Sequence, residues 1–265
     1  MTIPAYELYA IKYAHHDRLR SANFVGGDPH DGPMPMDYFV WLARSAERTF
    51  VIDTGFNAEA AARRKRDLVR CPTEGLAMLD VDAAKVPDVI ITHLHYDHVG
   101  NFDLFPAATF HLQDREMQFA TGRHMRSGFL RHSFDVKDVT GMVREVYKGR
   151  VAFHDGDADV APGISVHLVG GHTMGLQFVR VHTRRGWVVV ASDASHYYEN
   201  MLERRPYTTV FSVGDMIQGW DRLFALADSP DHVVPVHDPE VLRRYPPPRP
   251  GLEGIAVRLD VAPAA

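Results

Sequence analysis

Cysteine is almost missing from this 265-residue chain: Cys71 stands alone, so no internal disulfide can staple the fold. A chain of this length buries roughly 70–75% of its unfolded surface and needs no staple. No window offers the roughly 18 consecutive apolar residues of a membrane span. The opening stretch MTIPAYELYAIKYAHHDRLR has no basic region leading into an apolar one. These absences, with the lone thiol, set the expectation of a cytoplasmic protein that does not enter a membrane. Basic charge is in deficit, 29 Lys+Arg against 34 Asp+Glu for a net −5, so the electrostatic footprint of a general nucleic-acid binder is lacking. No internal repeat and no dividing linker is visible, which predicts one domain over 1–265 with an extended Pro-rich tail (YPPPRPG) from about residue 245. With 45% hydrophobic and 24% charged residues, disorder, collagen and coiled coil are excluded.

Apolar patterning predicts strands over Tyr6–Tyr13, Asp37–Ala43, Thr49–Asp53, Asp88–Thr92, Ala108–Leu112, Val151–His154, Ile164–Val169, Leu176–Thr183, Trp187–Ser192 and His232–Val236. Helices are predicted over Asn57–Arg70, Pro72–Leu79, Asp114–Ala120 with Asp114 as N-cap, Lys137–Lys148, Tyr197–Arg204 and Gly214–Asp228. The basic run in Asn57–Arg70 reads as a solvated helix face rather than a phosphate-binding patch. Strands succeeding one another in hairpin style, with helices interleaved, favour an α/β sandwich with mixed sheets over a doubly wound parallel sheet.

What the chain has in plenty is histidine, 16 in all. His93, His95, Asp97 and His98 follow directly on the apolar strand Asp88–Thr92. Imidazole and carboxylate side chains at i, i+2, i+4 and i+5 suit Zn²⁺, Mn²⁺, Fe or Co²⁺, and burying them unpaired would be costly. One ion cannot readily take all four from so short a segment. The spacing therefore points to two neighbouring ions, His93 and His95 facing one, Asp97 and His98 the other. Gly100 lets the chain leave the crowded site.

The segment Thr92-His93-Leu94-His95-Tyr96-Asp97-His98-Val99-Gly100 resembles the HxHxDH signature of the metallo-β-lactamase superfamily. The likeness continues through Asp53-Thr54-Gly55, Gly170-Gly171-His172-Thr173, Ser192-Asp193 and Val236-His237-Asp238, in order, over roughly residues 6–245. It implies an αβ/βα four-layer sandwich with two mixed β-sheets. It also implies two divalent metal ions, zinc by default and Mn²⁺, Fe²⁺ or Co²⁺ otherwise. His93, His95 and His172 would hold the first ion, Asp97, His98 and His237 the second, and Asp193 would bridge them. His172, Asp193 and His237 each end a predicted apolar strand, where side chains can converge at one sheet edge. Asp53 would orient backbone or a ligand histidine.

Within the superfamily, Asp193-Ala-Ser-His-Tyr-Tyr-Glu-Asn200 is similar to a stretch of the quorum-quenching N-acyl homoserine lactonases, as is His237-Asp238. That resemblance implies a lactonase opening a small-molecule lactone ring by attack of a hydroxide held between the ions, with Asp97 or Asp193 moving the proton. Two positions depart from the pattern. The lactonases carry a carbonyl-binding tyrosine where this chain has His196, with Tyr197 beside it, so either would take that role. Leu176 replaces a histidine that is not a metal ligand. The alternative is a hydrolase of another cyclic or activated acyl bond: a pyridoxolactone-type lactone, a cyclic imide or amide, or a thioester. A non-catalytic metal-binding protein is the reading from a second class. Neither nucleic acid nor membrane is an expected partner, and a homodimer is the base-rate expectation. The expected pocket walls are Gly26–Pro35 and Arg123–Val136, with Phe24, Met125, Phe129 and Phe134 as lining.

Overall fold

The structure is a computed structural model that describes residues 3–264. Strands β1 (Glu7–His16), β2 (Met36–Arg44), β3 (Thr49–Ile52), β4 (Asp67–Leu68), β5 (Asp88–Ile90), β6 (Thr109–Gln113) and β7 (Val151–His154) build the first sheet. Strands β8 (Ala158–Ala161), β9 (Ile164–Leu168), β10 (Gln177–Thr183), β11 (Gly186–Val190) and β12 (Val233–Val234) build the second, and β13 (Ala256–Arg258) returns to the edge of the first. The first sheet runs β13-β1-β2-β3-β5-β6-β7, with β4 paired to β1. Its β1–β2–β3 part is antiparallel and its β3–β5–β6–β7 part parallel. The second runs β12-β11-β10-β9-β8, antiparallel except for β11–β12. Both sheets are mixed, as expected.

Period-two alternation along strands buried on both faces makes the layers. In β1, Leu8 and Ala10 enter one apolar cluster while Tyr9, Ile11 and Tyr13 enter another; in β2, Phe39, Trp41 and Ala43 oppose Tyr38, Val40 and Leu42. The first cluster takes in Val166, Phe178 and Val181 of the second sheet, plus Trp220 and Leu223 of the helix Val213–Leu226. The second joins the outer face of the first sheet to Ala60 and Ala61, Leu76, Val139 and Met142 on the helices Ala58–Arg64, Pro72–Ala77 and Val136–Tyr147. The order helix, sheet, sheet, helix is the expected four-layer sandwich. Among the described residues, no helix is long and apolar enough to cross a membrane.

Several elements differ from the sequence expectation for identifiable reasons. The helix expected over Asn57–Arg70 stops at Arg64, because Lys65 turns left-handed (φ +54°) and Asp67–Leu68 pairs with β1. Asp114 is the first residue of its helix, not the cap; Gln113 holds that position without a side-chain bond. The end of the chain is not an extended tail, since β13 pairs with β1 through Tyr9–Arg258 and Ile11–Ala256. Strand β8 and the helix Glu240–Arg244 carry too few alternating apolar residues to have been read.

Asp138 lies in the first turn of the helix Val136–Tyr147, and burial, with Asp135 nearby, pushes its carboxyl up from 3.8 to about 6. The folded chain therefore holds this proton up to about pH 6 while the unfolded chain releases it near pH 3.8, so stability falls as pH rises through that window. Asp138→Asn is expected to add on the order of 1–2 kcal/mol at pH 8 and nothing at pH 4. Denaturant titrations at the two pH values measure it, and an equal effect at both would refute the assignment.

Candidate metal centre and its cavity

Strands β9, β11 and β12 run in the same direction, so their carboxyl ends deliver His172, Asp193 and His237 to one edge of the second sheet. The loop after β5 delivers His93, His95, Asp97 and His98 from the first. The two edges meet. Ligand atoms of His93, His95, His172 and Asp193 lie within 4.8 Å of one another, as do those of Asp97, His98 and His237. A third such group, Asp193, His196 and His237, links them. Asp193 is the hub: one carboxylate oxygen is 2.9 Å from His172 Nε2, 3.4 Å from His93 Nε2 and 3.5 Å from His98 Nε2, and the other is 3.3 Å from His237 Nε2.

The donor set fits divalent metal. His93 Nε2, His98 Nε2, His196 Nε2 and Asp193 Oδ1 are buried without a hydrogen-bond partner among the described residues, an arrangement too costly to persist unless something of opposite charge satisfies it. The far nitrogens of three rings are engaged elsewhere. His98 Nδ1 donates to Asp53 at 2.8 Å, His172 Nδ1 to the Thr209 carbonyl at 2.7 Å and His237 Nδ1 to the Asp37 carbonyl at 3.0 Å, which turns each Nε2 toward the centre. Burial, then the neighbouring imidazoles, hold His93 and His95 well below the usual histidine range, so both are neutral donors. Burial opposes the ionisation of Asp193, yet His172 and His98 draw its carboxyl well below the usual range.

Thr92 ties the pieces together. Its hydroxyl donates to Asp53 Oδ2 at 2.8 Å and accepts from Ser192 Oγ at 2.7 Å, while its N–H donates to Asp53 Oδ1 at 2.8 Å. Asp53 (φ +60°) and Ser192 (φ +48°) are both left-handed, a conformation costing side-chain-bearing residues of order 1–3 kcal/mol each. These bonds hold them there. Asp53 thus orients both backbone and a histidine, as the sequence implied.

Glu116 was not anticipated. Its buried carboxylate accepts from Leu94 N at 2.9 Å, Thr173 Oγ1 at 2.6 Å and Gly175 N at 3.2 Å, joining the loops that carry His93–His98 and His172. A Cβ on Gly175 would sit 2.0 Å from Glu116 N, so only glycine permits the approach. Gly100 is likewise required by contact, a Cβ there falling 2.7 Å from the Tyr96 carbonyl. Glu116→Ala is expected to cost about 3 kcal/mol and to lower metal occupancy, because three buried donors lose their acceptor. Chemical denaturation and elemental analysis test this; a cost below about 1 kcal/mol with full occupancy would sink it.

The centre opens into a cavity of about 510 Å³, walled by Met36, Tyr38, Phe119, Phe129, Leu130 and Val210 among others. Phe129 lines it and Phe134 stacks edge-on to His95 at 4.5 Å. Phe24, Met125, Phe134 and the Gly26–Pro35 loop do not line it; Thr208–Val210 does. His196 faces the cavity, stacked on Tyr207 at 3.6 Å and 16°, and burial pushes it down to about 3. Tyr207 donates to the Asp193 carbonyl. Tyr197 does not reach the site: its ring is buried and its hydroxyl donates to the carbonyls of Met34 and Pro35, at 3.4 and 3.3 Å. Leu176 is core. Cys71, at the N-cap of Pro72–Ala77, lies outside the cavity.

A folded sandwich with seven His and Asp side chains gathered at its paired sheet edges defines a class, and residues 34–243 match the family model for the Metallo-beta-lactamase superfamily. The chain belongs to that superfamily. It is 28% identical over 171 residues to the N-acyl homoserine lactonase AttM of Azorhizobium caulinodans, covering 61% of this chain and 62% of that protein. It is 28% identical over 122 residues to the N-acyl homoserine lactonase AiiA of Bacillus thuringiensis subsp. kurstaki, covering 45% and 42%. The matched stretches thus span about two fifths to three fifths of these relatives. Among solved structures, an N-acyl homoserine lactone hydrolase with the product N-hexanoyl-L-homoserine bound at its catalytic metal centre superposes with a TM-score of 0.75 at 19% identity, over 92% of this chain and 96% of that one. AidC, a dizinc quorum-quenching lactonase, gives 0.69 at 14%, over 90% of each chain.

Proposed function

We propose that this chain is a metal-dependent lactonase that opens a lactone ring of the N-acyl homoserine lactone kind. One observation carries the reading: the two buried ligand groups meet at Asp193, a member of the first whose carboxylate also lies 3.5 Å from His98 and 3.3 Å from His237 of the second, and they open onto a cavity large enough for a small acylated ring. His93, His95 and His172 would hold one ion, Asp97, His98 and His237 the other, with Asp193 between. Bound there, the pair supplies Lewis-acid polarisation of the ester carbonyl and a water acidic enough to attack it near neutral pH. The lactonase relatives and the dizinc neighbour support zinc as the metal and a small lactone as the substrate. A homodimer and a cytoplasmic site of action belong to the same proposal.

The chain's own residues orient and move protons. Asp97 lines the cavity, its Oδ2 3.7 Å from both His98 Nε2 and His237 Nε2, where it can accept the proton water loses and return it to the departing ring oxygen. His196, neutral and fixed by its stack on Tyr207, offers a hydrogen bond to the carbonyl oxygen in place of the relatives' tyrosine. Tyr197 has no part in this geometry. Overall, water adds across the acyl C–O bond, the ring opens to an alcohol and a carboxylate, and one proton is released. Acid release in weak buffer, with short- and long-chain N-acyl homoserine lactones and metal-loaded protein, is the expected result. No release with both ions bound would refute the reading.

A further inference from the structure

One wall of the cavity is strongly basic. Arg18, Arg64 and Arg66 all line it, and among the described residues none of the three forms an ion pair with a carboxylate. Arg18 donates only to neutral acceptors, Met36 Sδ at 3.0 Å and the Ala22 carbonyl at 2.7 Å. Arg66 donates to Tyr96 Oη at 3.3 Å and the Arg64 carbonyl at 2.7 Å. The Arg64 guanidinium lies 3.9 Å over the Tyr96 ring, and Tyr96 stands between His95 and Asp97 in the loop of candidate ligands. The left-handed turn at Lys65 makes this arrangement, leaving Lys65 exposed while the arginines on either side line the cavity. Among the described residues the carboxylates lining the cavity are Asp97 and Asp193, both at the metal centre.

Partly buried guanidinium groups without counter-ions carry a desolvation cost that a bound anion relieves. His16 lines the same cavity, and burial, then Arg66 and Arg18, hold it down at about 4 against the weaker opposite pull of Asp17 and Asp67. A neutral N-acyl chain offers these groups an amide carbonyl but no counter-charge. We propose that the substrate of this site carries a carboxylate remote from the bond that is cut, and that Arg18 and Arg66 hold it at the cavity wall. The N–H groups each arginine has left over suit the two oxygens of a carboxylate. The inference rests on the lactonase reading for its reaction but not for its binding.

A matched pair tests it: N-hexanoyl and N-adipoyl homoserine lactone, equal in chain length, the second ending in a carboxylate. Metal-loaded wild-type protein is expected to favour the adipoyl compound at least tenfold in kcat/KM, with KM rising as salt is added. Arg66→Gln and Arg18→Gln should each cut that ratio tenfold or more through KM, and Arg66→Lys should keep part of it. Calorimetric binding of N-adipoyl homoserine lactone is measured alongside, with melting curves confirming that each variant folds. A wild-type preference for the hexanoyl compound, or a ratio that neither Gln variant moves, overturns the inference and leaves the lactonase reading standing. If neither lactone is opened, the lactonase reading fails. In that case, tighter binding of the adipoyl compound that Arg66→Gln abolishes still supports the carboxylate site, and equal binding of both compounds refutes it.

Discussion

Asp193→Ala is expected to abolish metal binding and acid release together. The carboxylate is within reach of His93, His98, His172 and His237 at once, at 2.9–3.5 Å. Losing only the hydrogen-bond partner of a ligand commonly costs about 10–100-fold in affinity or activity. Asp193 would be a ligand shared by both ions, so its removal should exceed that, with kcat/KM falling by at least about 10³-fold. The variant also leaves His93 and His172 without a carboxylate partner, and the Nε2 atoms of His98 and His237 with Asp97 alone at 3.7 Å, and the metal content of the purified protein should drop in parallel. Elemental analysis and the acid-release assay are the two readouts. Full occupancy, or undiminished turnover, would remove Asp193 from the centre.

Stripping the metal should lower the melting temperature by about 8–16 °C. An ion that binds only the folded chain stabilises it by about 4 kcal/mol when its free concentration is 1,000 times its dissociation constant. For a chain of this size each kcal/mol moves the midpoint by roughly 2–4 °C. The geometry argues for this dependence, because the orphaned nitrogens of His93 and His98 and the Asp193 oxygen are buried and unfolding returns them to water. The sign with pH follows from ligand chemistry. Metal requires unprotonated imidazole, so affinity drops as pH falls, and the gap between loaded and chelated melting curves should narrow from pH 7.5 to pH 5. Superimposable curves at pH 7.5 would mean that no ion is bound there.

The candidate ligands were legible because their chemistry is local. His93, His95, Asp97 and His98 are adjacent in the chain, and ligand-type residues at that spacing after an apolar strand have few other uses. The sandwich was legible for a related reason, since period-two burial on both faces writes itself into β1, β2, β9 and β10. Glu116 was not legible. It sits in an ordinary helix, and only the approach of two distant loops at Gly175 makes its carboxylate an acceptor for both. Tyr197 misled because adjacency to His196 says nothing about direction: the hydroxyl lies under Met34 and Pro35.

The basic run after Asn57 shows where the boundary falls. By composition alone Arg63, Arg64, Lys65 and Arg66 form a solvated helix face, and for Arg63 and Lys65, both exposed, that is so. A single left-handed residue ends the helix early and sends Arg64 and Arg66 into the cavity. By itself the sequence determined the layers, the strand-end positions of the ligand candidates and the family, because periodicity and clustered ligand types are short-range properties. Which side chains wall the cavity, and therefore what charge it presents to a substrate, was decided only by tertiary structure. That choice depends on a backbone turn, a two-residue strand pairing and the meeting of two sheet edges, none of which leaves a periodic trace in the chain.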